Sequence, residues 1–302
     1  MTGQARIVGD TLIARDGARL PLRRWGPEAQ EPWAVLVALH GFNDYSNAFN
    51  AAARHWAKHG VVTYAIDQRG FGRAAEAGLW AGIDAMVADL RALTAIVSKR
   101  HPGLPLHVLG DSMGAAVAMV SLARHPGGAI DGAVLVAPAV WGRRHLGAIK
   151  RAALWLAAHS VPWLRLTAEG LDIQASDNVA MLRALGKDKL VIKETRIDAI
   201  WGLVNLMDAA FAASDKIEAP LLLLYGARDE VIPKRPTVEV LGKLMATGRV
   251  RAAYYADGYH MLLRDLAAEP VLGDVLAWIR DHRAALPSGA EARARKWLEM
   301  AD

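Results

Sequence analysis

From Trp33 onward the apolar runs WAVLVALH, VVTYAID, PLHVLGD, GAVLVAP, PLLLLYGA and VRAAYYA alternate with segments of helical periodicity, among them Ala48 to Lys58, Ile83 to Lys99 and Met113 to Arg124. This alternation constrains the fold more than any other feature. Strands that are apolar almost throughout are covered on both faces, which predicts an α/β fold with a mostly parallel central sheet flanked by helices. In such a sheet the loops leaving the carboxyl ends of the strands gather on one edge, where sites form. An earlier pair, TLIARDG and RLPLRRW, meets at Asp16-Gly17 and predicts an antiparallel hairpin at the start of the sheet. A chain of 302 residues that is 53% hydrophobic has enough apolar mass for one large core carrying an insertion.

The insertion is where the alternation lapses. Between APAV (137–140) and PLLLLYGARD (from 220) the periodicity is helical with no strand pattern, over a length no ordinary loop has. We read residues 139–215 as a helical cap inserted after the sixth strand, into a core made of 1–138 and 216–302. Its first half sets Arg143, Arg144, Lys150 and Arg151 beside Ile149, Trp155, Leu156 and Trp163, a pattern that suits a greasy pocket or a membrane-facing surface. No apolar window reaches the length of a bilayer span: AALWLAAHSVPWLRLTA is interrupted by His159, Pro162 and Arg165, and about 20 apolar residues are needed. The tail SGAEARARKW reads as a terminal helix or a frayed end.

Composition excludes several chemistries. Cysteine is absent, which removes disulfides, zinc-thiolate sites and a cysteine nucleophile. The net charge of +5 is not accompanied by aromatic residues interleaved with basic ones, so no nucleic-acid partner is expected. The N-terminus lacks a signal-peptide core, so the expected location is cytoplasmic, with transient contact between the basic cap and an anionic membrane surface.

The run PLHVLGDSMGAAVAMVSLA breaks at Gly110-Asp111-Ser112-Met113-Gly114. This fits G-x-S-x-G, a strained strand-to-helix turn that exposes a serine hydroxyl, and here a strand pattern precedes it and a helix pattern follows. A serine needs a base. His260, in DGYHMLLRD just beyond a strand, is placed to return an imidazole to the catalytic edge, whereas the other histidines mostly fall in helices, at strand starts or beside turns away from it. Asp229, directly after the strand LLLLYG, supplies the carboxylate that holds the imidazole's tautomer, in the chain order Ser, Asp, His. Its rivals are Asp257, read as bonding a turn, and Glu230, read as facing outward. The oxyanion formed on attack would be received by the main-chain N–H groups of Met113 and of Phe42, in HGFNDYS. His40 is assigned mainly to orienting that loop, and also stands with Trp155, Trp163, Trp201 and Leu206 as a candidate substrate-binding residue. The tryptophans and Leu206 are equally read as ordinary cap-core residues.

The segments HGFND, DQRGFGR, GDSMG, GARDEVIP and GYHML, in this order, resemble the α/β-hydrolase superfamily, in particular its monoacylglycerol lipase and lysophospholipase branch, the serine hydrolases known as Hydrolase_4. The resemblance runs from about Leu12 to His282 and includes the cap segment SDNVAMLRALGKDKLVIKETRIDAIWGLVNLM. It implies Ser112 as nucleophile, Asp229 as acid, His260 as base, and Phe42 and Met113 as oxyanion donors. Two stretches depart from the pattern. Family members commonly carry His-Gly-x-Gly then Glu-His-Ser, where this chain has Asn43, Asp44 and Tyr45; and Gly70-Phe71-Gly72 replaces Gly-His-Gly. The expected activity is hydrolysis of monoacylglycerols, lysophospholipids or similar lipophilic esters through an acyl-enzyme, with no metal or organic cofactor. Two alternatives stand beside it: an aminopeptidase or amidase that binds the substrate amine through Glu169, Asp172 or Asp177, and a non-catalytic interaction module on the same scaffold.

Overall fold

The computed structural model describes residues 3–167, 170 and 172–299. Three short antiparallel strands lead, β1 (Arg6–Val8), β2 (Thr11–Ile13) and β3 (Arg19–Trp25). The alternation then unfolds as β4 (Ala34–Leu39), α1 (Asn50–Lys58), β5 (Val61–Ile66), α2 (Ile83–Arg100), β6 (Leu106–Asp111), α3 (Met113–Arg124) and β7 (Gly132–Val136). Next come α4 (Ala148–Ser160), β8 (Arg165–Thr167), α5 (Val179–Lys187), β9 (Glu194–Arg196) and α6 (Ile197–Ala213). The chain returns to the sheet with β10 (Leu221–Gly226), α7 (Lys234–Met245), β11 (Val250–Tyr255), α8 (Glu269–Arg280) and α9 (Ala290–Glu299).

The main sheet runs β1-β2-β3-β5-β4-β6-β7-β10-β11. From β5 to β11 all neighbours are parallel, and β3 joins antiparallel to β5. The apolar strands are covered on both sides, as β4 illustrates. Val35, Val37 and Leu39 face a core shared with α2 and α3, while Ala34, Leu36 and Ala38 face one shared with α1 and α8. Burying each such large apolar side chain is worth about 1.5–3 kcal/mol, so the strand's lack of alternation is what a two-sided core selects.

Two expectations need correction. The strand β1 precedes the hairpin, so the insertion follows the seventh strand rather than the sixth. The insertion also contains a two-stranded antiparallel ribbon, β8 with β9, registering Arg165 with Arg196. Strands of three residues are too short to leave a period-2 signature. One further difference concerns α6: with the turn that follows, Ile197–Lys216 is long and apolar enough to cross a bilayer, yet half of it is buried within the fold. The basic tail is a docked helix, with Trp297 stacked on Tyr254 at 4.7 Å and on Tyr225 at 5.3 Å between ring centroids.

Candidate active site

Ser112 alone separates β6 from α3, at φ +52° and ψ −109°. A non-glycine residue in that region stores about 1–3 kcal/mol, so its surroundings must hold it there. Four main-chain bonds do so: Ser112 N–H donates to the Val136 carbonyl at 2.9 Å, and its own carbonyl accepts from Ala115, Ala116 and Ala139. The flanking glycines are required by crowding. A Cβ at Gly110 would run into the backbone of Ala115, and one at Gly114 into the Leu39 carbonyl of the adjacent strand. Ser112 keeps 9% of its surface exposed, and its hydroxyl makes no hydrogen bond among the described residues.

His260 follows β11 in the loop that leads to α8, and Asp229 follows β10. The two loops are joined by their backbones, Arg228 N–H donating to the Gly258 carbonyl at 2.9 Å. Across this junction His260 Nδ1 meets Asp229 Oδ2 at 2.9 Å, with the Asp229 side chain wholly buried. The other Asp229 oxygen accepts from Val231 N–H and Ile232 N–H, both at 2.8 Å, so the carboxylate is fixed on both sides. Nδ1 therefore carries the proton and Nε2 is left as the acceptor. Burial alone would lower the His260 pKa, but the hydrogen bond and charge of Asp229, with Asp111 adding to them, carry it above the ordinary histidine value. The rival acids stand elsewhere. Glu230 is exposed and accepts from Gln174 N–H; Asp257, expected to bond a turn, pairs instead with Arg228 at 2.6 Å in solvent.

Phe42 sits on the loop after β4, and Met113 opens α3, where the first amides of a helix lack an intrahelical acceptor. Among the described residues neither amide donates to a protein group. The Met113 side chain is fully buried in the core, whereas Phe42 packs edge-on against Phe71 at 5.6 Å and beside Trp80 at 6.4 Å. His40, expected among substrate-binding residues, is corrected to a structural role because it has no exposed surface. Its Nε2 accepts from Gln68 N–H at 3.0 Å and its Nδ1 donates to the Gly41 carbonyl at 2.8 Å, and burial holds it neutral by lowering its pKa.

A charged cluster absent from the sequence reading lies behind these groups. Arg264 Nη2 meets Asp44 Oδ2 at 2.7 Å, with both side chains about nine-tenths buried. Asp111 faces the charges of Arg264, His260, Asp44 and Asp229, and among the described residues its buried Oδ1 has no hydrogen-bond partner. Burial pushes its carboxyl up to about 6, against the opposing pull of Arg264 and His260. The signal available in the sequence was Arg264 itself, four residues beyond His260 in the same loop.

The remaining candidates are dispersed. Trp155 and Trp163 are 53% and 61% exposed. Trp155 stacks on His159 at 4.6 Å, His159 meets the edge of Trp201 at 5.5 Å, and the Arg143 guanidinium lies 4.0 Å over the Trp201 ring. Leu206 has no exposed surface and belongs to the main core, so its candidacy as a substrate contact is corrected. Of the acids expected to bind an amine, Asp172 is exposed, Asp177 accepts from Leu266 N–H at 2.8 Å, and Glu169 lies outside the described residues. A surface cavity of about 780 Å³ between β3 and α1, lined by Arg24, Trp25, Gln30, Arg54 and Lys58, contains none of the site residues.

The chain is 28% identical over 269 residues to a monoacylglycerol lipase of Mycolicibacterium smegmatis, covering 88% of this chain and 94% of that one. It is 25% identical to the human monoglyceride lipase, covering 90% of each chain. Among solved structures, a soluble variant of the Saccharomyces cerevisiae monoglyceride lipase superposes with a TM-score of 0.76 at 18% identity, covering 93% of this chain and 96% of that one. The monoacylglycerol lipase of Paleococcus ferrophilus does so with a TM-score of 0.73 at 20% identity, covering 87% and 99%. The Hydrolase_4 family, described as serine aminopeptidase, S33, matches residues 30–267. This chain is therefore an α/β-hydrolase belonging to the Hydrolase_4 family, an enzyme of the serine-hydrolase kind.

Proposed function

We propose that this enzyme hydrolyses monoacylglycerols or closely similar lipophilic esters through an acyl-enzyme on Ser112. The observation that carries the reading is the His260 Nδ1 to Asp229 Oδ2 bond of 2.9 Å, which leaves Nε2 free as a base beside a nucleophile elbow. Ser112 Oγ attacks the ester carbonyl as its proton passes to His260 Nε2. The tetrahedral oxyanion is received by the Phe42 and Met113 amides, and Asp229 stabilises the imidazolium that forms. His260 then protonates the departing alcohol, and a water deprotonated by the same nitrogen releases the acid. The bond between Ser112 Oγ and His260 Nε2 closes when substrate binds, as catalytic hydrogen bonds often tighten only in the Michaelis complex.

In this reading residues 139–215 act as a cap over a core of 1–138 and 216–302. The helix α4 has no buried residue, and Ile149, Trp155 and Leu156 are exposed beside Lys150 and Arg151. That mixture suits peripheral, reversible contact with an anionic lipid surface that presents the substrate. Flotation with vesicles should require acidic lipid and weaken in high salt; flotation that persists in high salt would remove the electrostatic part of the idea.

The reading is tested by a panel of esters varying in acyl length and alcohol, with an aminoacyl anilide added, assayed on the wild type and on Ser112→Ala. Turnover of the longer-chain monoacylglycerols should exceed that of the anilide and disappear in Ser112→Ala, as should labelling by a fluorophosphonate. Preference for the anilide, or turnover surviving the substitution, would overturn it.

A further inference from the structure

Three consecutive side chains replace the commoner residues of the loop after β4, and each reaches a different element. Asn43 Nδ2 donates to Thr195 Oγ1 on β9 at 2.6 Å, and the Asn43 carbonyl accepts from Ile192 N–H at 2.9 Å. Asp44 pairs with Arg264 in the loop that carries His260. Tyr45 O–H donates to Asp188 Oδ2 at the end of α5, at 2.7 Å. Asp188 in turn accepts from Leu190 N–H at 2.9 Å, so residues 188–195 are clasped to the loop at both ends.

The backbone explains why Asn43 matters most. Asp44 N–H donates to the Gly41 carbonyl at 3.3 Å, making Phe42 and Asn43 the central pair of a tight turn. Asn43 has φ +65°, a conformation that glycine or asparagine adopts most readily. Glycine there would satisfy the turn and nothing else. Asparagine satisfies it and adds an amide that bonds β9. The orientation of the turn, and with it the Phe42 N–H, is thereby tied to where β9 sits.

We propose that Asn43, through its bond to Thr195, is a positioning residue that couples the seat of the cap ribbon to the oxyanion-binding amide of Phe42. The inference rests on the reading of Phe42 as an oxyanion donor. An oxyanion donor acts only when held close to the position of the developing charge, and losing one outright costs about 100- to 1,000-fold in rate. Loosening the turn should cost less, about tenfold, because the amide remains but is no longer fixed.

The test uses the full chain and a water-soluble short-chain ester, with active sites counted by complete fluorophosphonate labelling so that misfolded protein is discounted. Thr195→Val should lower kcat about tenfold with KM within about twofold, Thr195→Ser should restore it, and Asn43→Gly/Thr195→Val should be no slower than the slower of the two single variants. A Thr195→Val kcat within twofold of wild type, or losses that multiply in the double variant, would overturn the coupling. A wild type without Ser112-dependent turnover would overturn the underlying reading, and that outcome is visible before any Asn43 variant is made.

Discussion

A buried carboxylate directly precedes the proposed nucleophile Ser112: Asp111 is 6% exposed and, among the described residues, its buried Oδ1 meets no donor. Its pKa stands at about 6 against an ordinary 3.8, so between those values the folded state binds more protons than the unfolded chain. Stability is therefore present below the lower value and lost as pH rises through the upper one, by an amount on the order of 3 kcal/mol for a shift of about two units. Replacing Asp111 by Asn removes the buried charge. The thermal midpoint of Asp111→Asn relative to wild type should consequently be higher at about pH 8 than at about pH 4. The same charge raises the His260 pKa, so its removal should move the acidic limb of kcat/KM to lower pH and slow the plateau rate, since the imidazolium loses a stabilising neighbour. Superimposable pH–rate profiles for the two proteins would show that Asp111 does not act on the base. A residue that costs stability where it ionises and would assist the proposed base in the same state is an expected compromise at a catalytic edge.

At the scale of elements, the insertion separates residues that hold the fold from residues that face outward. Leu206 lies in α6 with no exposed surface, in the core that also contains α3. Leu206→Ala should cost about 2–5 kcal/mol as a cavity in that core while leaving KM for a short ester unchanged. A raised KM at an unchanged thermal midpoint would instead place Leu206 against the acyl chain. The sequence pattern could not make this distinction, because apolar residues at helical spacing look alike whether they meet the core, a pocket or a membrane. In α4 the pattern is present and no residue is buried; in α6 it is present and half the helix is. The long elements were legible for the opposite reason: six-residue strands buried on both faces have no other plausible setting than a covered parallel sheet, as β4, β5, β6 and β10 show.

Across the whole molecule, the groups proposed for the site are those that neighbours announce in the sequence: Ser112 by its glycines, Asp229 and His260 by the strands before them. The contacts that tie the site together, Asn43 to Thr195, Tyr45 to Asp188 and Asp44 to Arg264, span separations of 152, 143 and 220 residues and leave no local pattern. The same holds for His107, on the strand that leads to Ser112, whose Nε2 lies 2.9 Å from His282 Nε2 beyond α8. One ring must donate and the other accept, so the pair cannot take a second proton without breaking. Burial, with the His282 charge adding to it and Asp131 opposing, lowers the His107 pKa to about 4; burial lowers that of His282 too, against Asp131 and Asp281 and alongside Arg251. The unfolded chain binds protons on these rings from the ordinary 6.5 downward, whereas folded His107 resists until about 4. Stability therefore falls as pH drops between those values, by about 3 kcal/mol for His107. This slope is opposite in sign to that of Asp111, and the two partly cancel between about pH 4 and pH 6. His107→Gln should make the thermal midpoint less dependent on pH below 6.5, and in Asp111→Asn, where the opposing contribution is gone, the loss on acidification should be steeper than in the wild type. Thermal melts of the wild type, the two variants and their combination across that range separate the contributions: equal slopes in wild type and His107→Gln would mean that the pair does not set the acid limit of the fold.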